Sequence, residues 1–416
     1  MNINKRKTIL IILIALLVLL IPTFTYFLIS YLNTPEEPIT DNPIDKIELT
    51  GDFDIDIFKE TYFSNTEEKN TVVSPLSVKI AMSMAAEGTQ GQTLTEMQEI
   101  LGINDNSKNL FRKILSDTST SEDVQLNIAN SIWMRDDLTF KNEYIQLLGD
   151  YYNAEANDLD FSDSYSVDVI NNWVSEKTEE KIPTIIEEID PLEIAFLVNA
   201  IYFNAKWQEP FNEALTEEEE FTLSDKSKVD AQLMMLDSNF EYFEDTEVQA
   251  VQLPYGEDGD YLMKVYLPKE NDIETFIESL SIDKIEEWNS NFERMDGLLK
   301  LPKFTTKYDV IMTDILKQLG IVTAFDSNRA DFSKMIEIPD INVYISRVIH
   351  KTFIDANEEG TEAAAATIVG MVGTAMPPTE EPERFEMIVN RPFLFTIEDV
   401  INNQILFIGT ILNPNE

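Results

Sequence analysis

The chain contains no cysteine and a single histidine, His350. These two absences exclude a disulfide framework, a thiol nucleophile and a zinc cluster of the Cys/His type, which needs about four such ligands. Metals that take oxygen ligands, such as calcium, stay open on composition alone. Positive charge is also scarce, with 31 Lys and Arg against 76 Asp and Glu and a net charge of −45. Nucleic acid is therefore excluded as a partner, because phosphate binding depends on clustered cations. Hydrophobic residues make up 44% and aromatics 10% of the sequence, enough for a packed core. The acidity thus decorates a globular protein and reads as solubility or tolerance of a salty medium.

What is present begins with an uncharged stretch. Lys5, Arg6 and Lys7 precede residues 8–32, which carry no charge and start with thirteen consecutive apolar residues, 9–21. A bilayer takes about 20 residues to cross, so a signal anchor is expected at 8–32, with the basic residues 1–7 on the cytoplasmic side. No small-residue cleavage site of A-x-A type follows, although a cut near Ser30 would make the protein secreted. Residues 33–52 hold Pro35, Pro38 and Pro43 among acidic side chains and read as a linker. The remaining residues, 53–416, show no further break or repeat and are expected to form one domain outside the cytoplasm, held at the cell membrane by a single pass.

Within that domain, apolar residues recur at helical spacing over 55–63, 76–86, 94–101 and 167–178. Runs rich in β-branched, aromatic and aliphatic residues over 124–134, 194–203, 261–267, 297–305, 343–350 and 393–397 predict strands. Helices dominate the first third and strands the last, without βαβ alternation, so the expected class is α+β with antiparallel or mixed sheets. Sequence signatures of enzymes are missing: no G-x-S-x-G, no phosphate loop, no G-x-G-x-x-G and no H-E-x-x-H. His350 ends an alternating apolar run and reads as a buried, hydrogen-bonded side chain in a sheet in preference to a catalytic base.

The segment 358–378, EEGTEAAAATIVGMVGTAMPP, contains a contradiction. Its alanines favour helix, Thr367, Ile368 and Val369 favour strand, and Gly370 and Gly373 weaken both. It would fill little volume in a core and is short of polar side chains for a loop. Two states resolve the conflict: exposure as bait, and insertion as a strand into a sheet whose crowding admits only small side chains.

The residues around this segment carry a family resemblance. FIDANEEGTEAAAAT (353–367), VSPLSVKIAMSMAAEGTQGQT (73–93), FLVNAIYFNAKWQEPF (196–211), NRPFLFTIED (390–399) and LFIGTILNP (406–414) together resemble the serpins, in order and over nearly all of 53–414. The resemblance implies three β-sheets with eight or nine helices, an exposed reactive-centre loop at about 358–378, and a central sheet that opens to admit it. By resemblance, Ser74, Ser77, Asn199 and His350 match the polar shutter where that sheet parts, and Trp207 matches the aromatic at its top. Glu358 and Lys303 match a charge pair at the opening. The hinge comprises Glu358, Gly360, Thr361, Glu362, Ala363, Ala364, Ala365, Ala366 and Thr367.

The implied activity is suicide inhibition of serine endopeptidases, with cysteine proteases a further target class; the protein would be no enzyme, use no cofactor and act as a monomer. The alternative is a non-inhibitory binding or storage protein of the same fold. Alternation favours inhibition, because Thr361, Ala363, Ala365, Thr367 and Val369 would share the buried face and the charged Glu362 the exposed one. The resemblance implies a scissile bond after the seventeenth residue counted from Glu358, which puts it between Thr374 and Ala375. Neighbouring bonds, Val372–Gly373 and Ala375–Met376, stay open because an acidic insert, 379–383, lengthens the segment that follows. With no Lys or Arg between Gly360 and Pro378, the expected target is an elastase- or subtilisin-like protease that prefers small residues.

Overall fold

A computed structural model describes residues 51–65, 69–117, 123–337, 342–361 and 383–416. The chain begins with helix α1 (Asp52–Ser64), strand β1 (Thr71–Val73) and helices α2 (Pro75–Glu87), α3 (Gly91–Leu101) and α4 (Ser107–Asp117). Strand β2 (Val124–Arg135), α5 (Asn142–Tyr152), β3 (Glu155–Leu159), α6 (Tyr165–Lys177) and β4 (Ala195–Lys206) follow. Next come strands β5 (Glu217–Thr222), β6 (Lys228–Glu244), β7 (Val248–Tyr255) and β8 (Tyr261–Pro268) and helices α7 (Ile273–Glu278) and α8 (Ile282–Asn289). After β9 (Glu293–Pro302), β10 (Phe304–Ile311) and α9 (Thr313–Leu319), the chain ends in β11 (Ile345–Ala356), β12 (Gly360–Thr361), β13 (Phe385–Ile388), β14 (Phe393–Asp399) and β15 (Gln404–Ile411). Nine α-helices among the described residues and sheets of mixed direction give the α+β class expected from sequence.

The strands form two hydrogen-bonded networks. One has six strands in the order β10-β11-β12-β4-β2-β3; the other has nine, running β1-β15-β14-β8-β7-β6-β9-β13 with β5 on the side of β6. The expected three sheets appear as two networks because β6 is long enough to serve twice. Its first residues pair with β5, its last with β7, and β9 bridges both parts. One strand boundary also differs from expectation. The run 297–305 is two strands and not one, because Pro302 ends β9 and the Lys303 N–H turns to Gln232 O at 2.8 Å. The strand expected at 343–350 begins two residues later and continues to Ala356.

The six-stranded sheet is covered on both sides, which explains why every residue from Ala195 to Phe203 is buried. On one face Phe196, Val198, Ala200, Tyr202, Ile349 and Phe353 pack under α6 and the segment after it, which contributes Ile182, Ile185 and Ile186. On the other lies α2, whose start is set by local chemistry. Ser74 is its N-cap, accepting from Ser77 N–H at 3.3 Å, and Pro75 supplies the first helical position at no hydrogen-bond cost.

Helix α2 also carries a buried cation that nothing in the sequence singled out. Lys79 Nζ lies 2.8 Å from Asp54 Oδ1 of α1, with both side chains almost fully buried, and 5.4 Å from the centre of the Phe53 ring. Burial raises the Asp54 carboxyl above its ordinary value while Lys79 opposes that shift. Removing one charge would strand the other in a dry site. Lys79→Met alone is therefore expected to cost about 3–5 kcal/mol of stability, whereas Asp54→Leu combined with Lys79→Met should recover most of it; equal losses in the single and double variants, measured by chemical denaturation, would count against a tight pair.

Candidate functional site

Strands β4 and β11 run parallel and pair directly from Ile345↔Ala195 to Phe353↔Tyr202. Past Phe353 they part, and the two residues of β12 fill the gap. Thr361 pairs antiparallel with Ala356 on one side and Ala205 on the other, and Gly360 pairs with Lys206. A side chain at position 360 would collide with β4, since an added Cβ would stand 2.0 Å from Ala205 O and 2.6 Å from Lys206 Cα. Glycine is thus required for the chain to enter this gap.

Three sets of contacts hold the turn that leads into β12. Trp207 receives it at the top of the sheet: its backbone N–H donates to Glu359 O at 2.8 Å and its indole Nε1–H to Asn357 O at 2.8 Å. The Phe211 N–H donates to Glu358 O at 2.8 Å. Lys303, which stands between β9 and β10, pairs with Glu358 Oε2 at 2.8 Å while the Thr216 hydroxyl donates to Oε1 at 2.7 Å. Burial works to raise the Glu358 carboxyl, but these donors outweigh it and leave the group below its ordinary value. Below β12, Thr361 is fully buried and shares a hydrogen bond of 2.7 Å with the Tyr255 hydroxyl.

Half-way down the seam the sheet contains a polar cluster in apolar surroundings. His350 and Asn199 are register partners across it, and the imidazole Nδ1 is bonded to Asn199 Oδ1. The Ser74 N–H donates to His350 Nε2 at 3.0 Å. The Asn199 amide is directed at Ser77 Oγ, at Ser77 O at 3.1 Å and at Asn130 Oδ1 at 2.6 Å. Since Nε2 accepts, Nδ1 must donate, and the ring is neutral. Burial holds its pKa down to about 3. A second ring proton would in addition face the Ser74 N–H with no acceptor.

Ser74, Ser77, Asn199 and His350 therefore meet in one network, and Trp207, Lys303, Glu358, Gly360 and Thr361 meet in another at the mouth of the same seam. The residues expected to complete the hinge, Glu362, Ala363, Ala364, Ala365, Ala366 and Thr367, lie outside the described residues, as do Thr374 and Ala375. The anchor expected at 8–32 also lies outside them, as does the linker expected at 33–52 except for its last two residues, of which Asp52 begins α1. Among the described residues no helix is long and apolar enough to cross a membrane, and no cluster of His, Asp and Glu could hold a metal ion. Reading the sequence missed Asn130, Thr216 and Tyr255. Asn130 left a signal, a polar side chain in the alternating set Val124, Leu126, Ile128, Ile132 and Met134 of β2; Tyr255 and Thr216 sit at loop boundaries and left none.

A family profile described as "Serpin (serine protease inhibitor)" matches residues 48–414. The chain is a serpin. A serpin-like protein of Methanosarcina acetivorans is 34% identical over 400 residues, covering 92% of each chain. Neuroserpin of Gallus gallus is 31% identical over 94% of this chain and 97% of its own. Among solved structures, the thermophilic serpin tengpin in its native state superposes with a TM-score of 0.81 at 33% identity, covering 88% of this serpin and 94% of tengpin.

The neutral histidine gives this serpin a defined acid sensitivity. The folded pKa lies below the ordinary value of 6.5, so the unfolded chain binds the extra proton first and stability is lost as the pH falls. Between pH 6.5 and about 3 the loss should reach at most about 1.4 kcal/mol per pH unit. Chemical denaturation across this range should show that slope in the wild type and a shallower one in His350→Gln, which keeps one donor and one acceptor but cannot titrate.

Proposed function

We propose that this serpin is a suicide inhibitor of serine endopeptidases, and that the gap between β4 and β11 is where its loop enters after cleavage. The observation that carries the reading is β12: the first residues of the hinge already sit between these strands and are antiparallel to both. Each further step along the loop would be matched by one step back along β11 and β4. Thr367, six residues on, would then stand between His350 and Asn199 and part the bond that closes the seam. One parallel pairing would be exchanged for two antiparallel ones, and backbone groups that the loop leaves to water would enter a sheet.

In this reading the target's serine hydroxyl attacks the carbonyl carbon of Thr374. The bond to Ala375 breaks, the new amine leaves with a proton, and an ester joins loop and protease. Insertion then carries the protease away before water reaches the ester, driven by a native fold less stable than its inserted form. The small residues at the bond suit elastase- or subtilisin-like pockets. The apolar stretch at 8–32 would hold the domain at the outer face of the membrane, or release it as a secreted protein if cleaved.

Incubation with elastase- and subtilisin-like enzymes should yield a covalent complex that survives denaturant and a released fragment beginning at Ala375, identified by mass spectrometry. Clean cleavage without a complex, and without a rise in thermal midpoint, would favour the binding or storage reading instead.

Thr361→Arg places a guanidinium at a fully buried position of the hinge, between Ala356 and Ala205. The variant should be cut at the wild-type rate but behave as a substrate. Unchanged trapping would mean that residue 361 does not face inward during insertion.

A further inference from the structure

The Tyr255 ring is packed in a way that phenylalanine would satisfy. It stacks on Trp207 at 4.3 Å between ring centres and 16° between planes, and meets Phe203 edge-on at 5.2 Å. Its hydroxyl does something the ring does not. Tyr255 is 1% exposed and Thr361 fully buried, and their hydroxyls lie 2.7 Å apart. Neither has another hydrogen-bond partner among the described residues. Burial pushes the phenol's pKa above its ordinary value, so it stays a neutral donor or acceptor throughout the physiological range.

We propose that Tyr255 is a positioning residue for inhibition, whose hydroxyl fixes the register in which the hinge begins to insert. Strand side chains alternate between faces, so a slip of one residue would turn Thr361 outward and bring Glu362 into the core. A hydrogen bond that only an inward-facing hydroxyl at 361 can make selects the register that keeps Glu362 out. It also holds the first pairing of the new strand in place before cleavage, so insertion starts from a formed nucleus. Small neighbours leave room for this: Ala356 and Ala205 flank Thr361 in the sheet.

This inference rests on the inhibitory reading for its kinetic consequence but has a second readout that does not. Tyr255→Phe keeps the stack and removes one oxygen; Thr361→Val keeps the branched shape and removes the other. With a protease that the wild type traps, each variant should raise the ratio of cleaved to trapped inhibitor about fivefold, the effect of one neutral hydrogen bond on the insertion rate. The rate of loop cleavage should not change, and the double variant should be no worse than either single one. Amide hydrogen exchange at Gly360 and Thr361 should quicken in each variant whether or not any protease is trapped. Unaltered exchange at those amides, or additive effects in the double variant, would overturn the pairing; failure of the wild type to trap any protease, with faster exchange in the variants, would remove the inhibitory reading and leave the pairing standing.

Discussion

Two parallel strands paired across a seam use up each other's facing donors and acceptors, so a third strand can enter only by breaking every one of those bonds while replacing it with another. In the inhibitory reading that exchange would take place between β4 and β11, which pair in parallel. It would account for a gap at the end of the seam that already holds two residues, a glycine where a Cβ would strike Ala205 and Lys206 and a threonine flanked by Ala356 and Ala205. Each widening of the sheet would then be local, because the incoming strand would be paired as soon as the old pairing is lost.

The polar cluster at His350 makes the same seam selective. A sheet held only by apolar packing would slide, whereas the histidine, with one donor and one acceptor, accepts a single arrangement of Ser74, Ser77, Asn130 and Asn199. Ser74 both caps α2 and donates its N–H to the ring, so the seam is coupled to the start of the most deeply buried helix. That helix is in turn held to α1 by the ion pair of Lys79 and Asp54. Opening the sheet would therefore disturb a chain of contacts that reaches the first described helix, α1.

Charge has two separate uses in the molecule. Most carboxylates among the described residues are exposed and give the surface its negative charge. A few are desolvated and matched one to one with lysines, as in Asp54 with Lys79, Glu398 with Lys264 and Glu358 with Lys303. These pairs join elements that are distant in the sequence, and in a chain with so few cations they mark contacts between elements more clearly than the composition does.

The sequence by itself determined the class of the fold, most of its long elements and the likeness of its hinge and seam to one family, because helical and strand periodicities are local and the hinge composition is unusual. It also singled out His350 as a buried, hydrogen-bonded side chain of a strand, and Asn199, Ser74 and Ser77 only by resemblance. Only the tertiary structure decided what these residues touch. The tautomer of His350 follows from an N–H 276 residues away in the chain, and the Tyr255 hydroxyl meets a hydroxyl 106 residues away. Asn130 was visible as a misplaced polar side chain but had no partner until β2 and β4 were paired in register. Strand β6, shared by two halves of one network, could not be read from alternation, which shows which faces are buried but not which neighbours a strand will have.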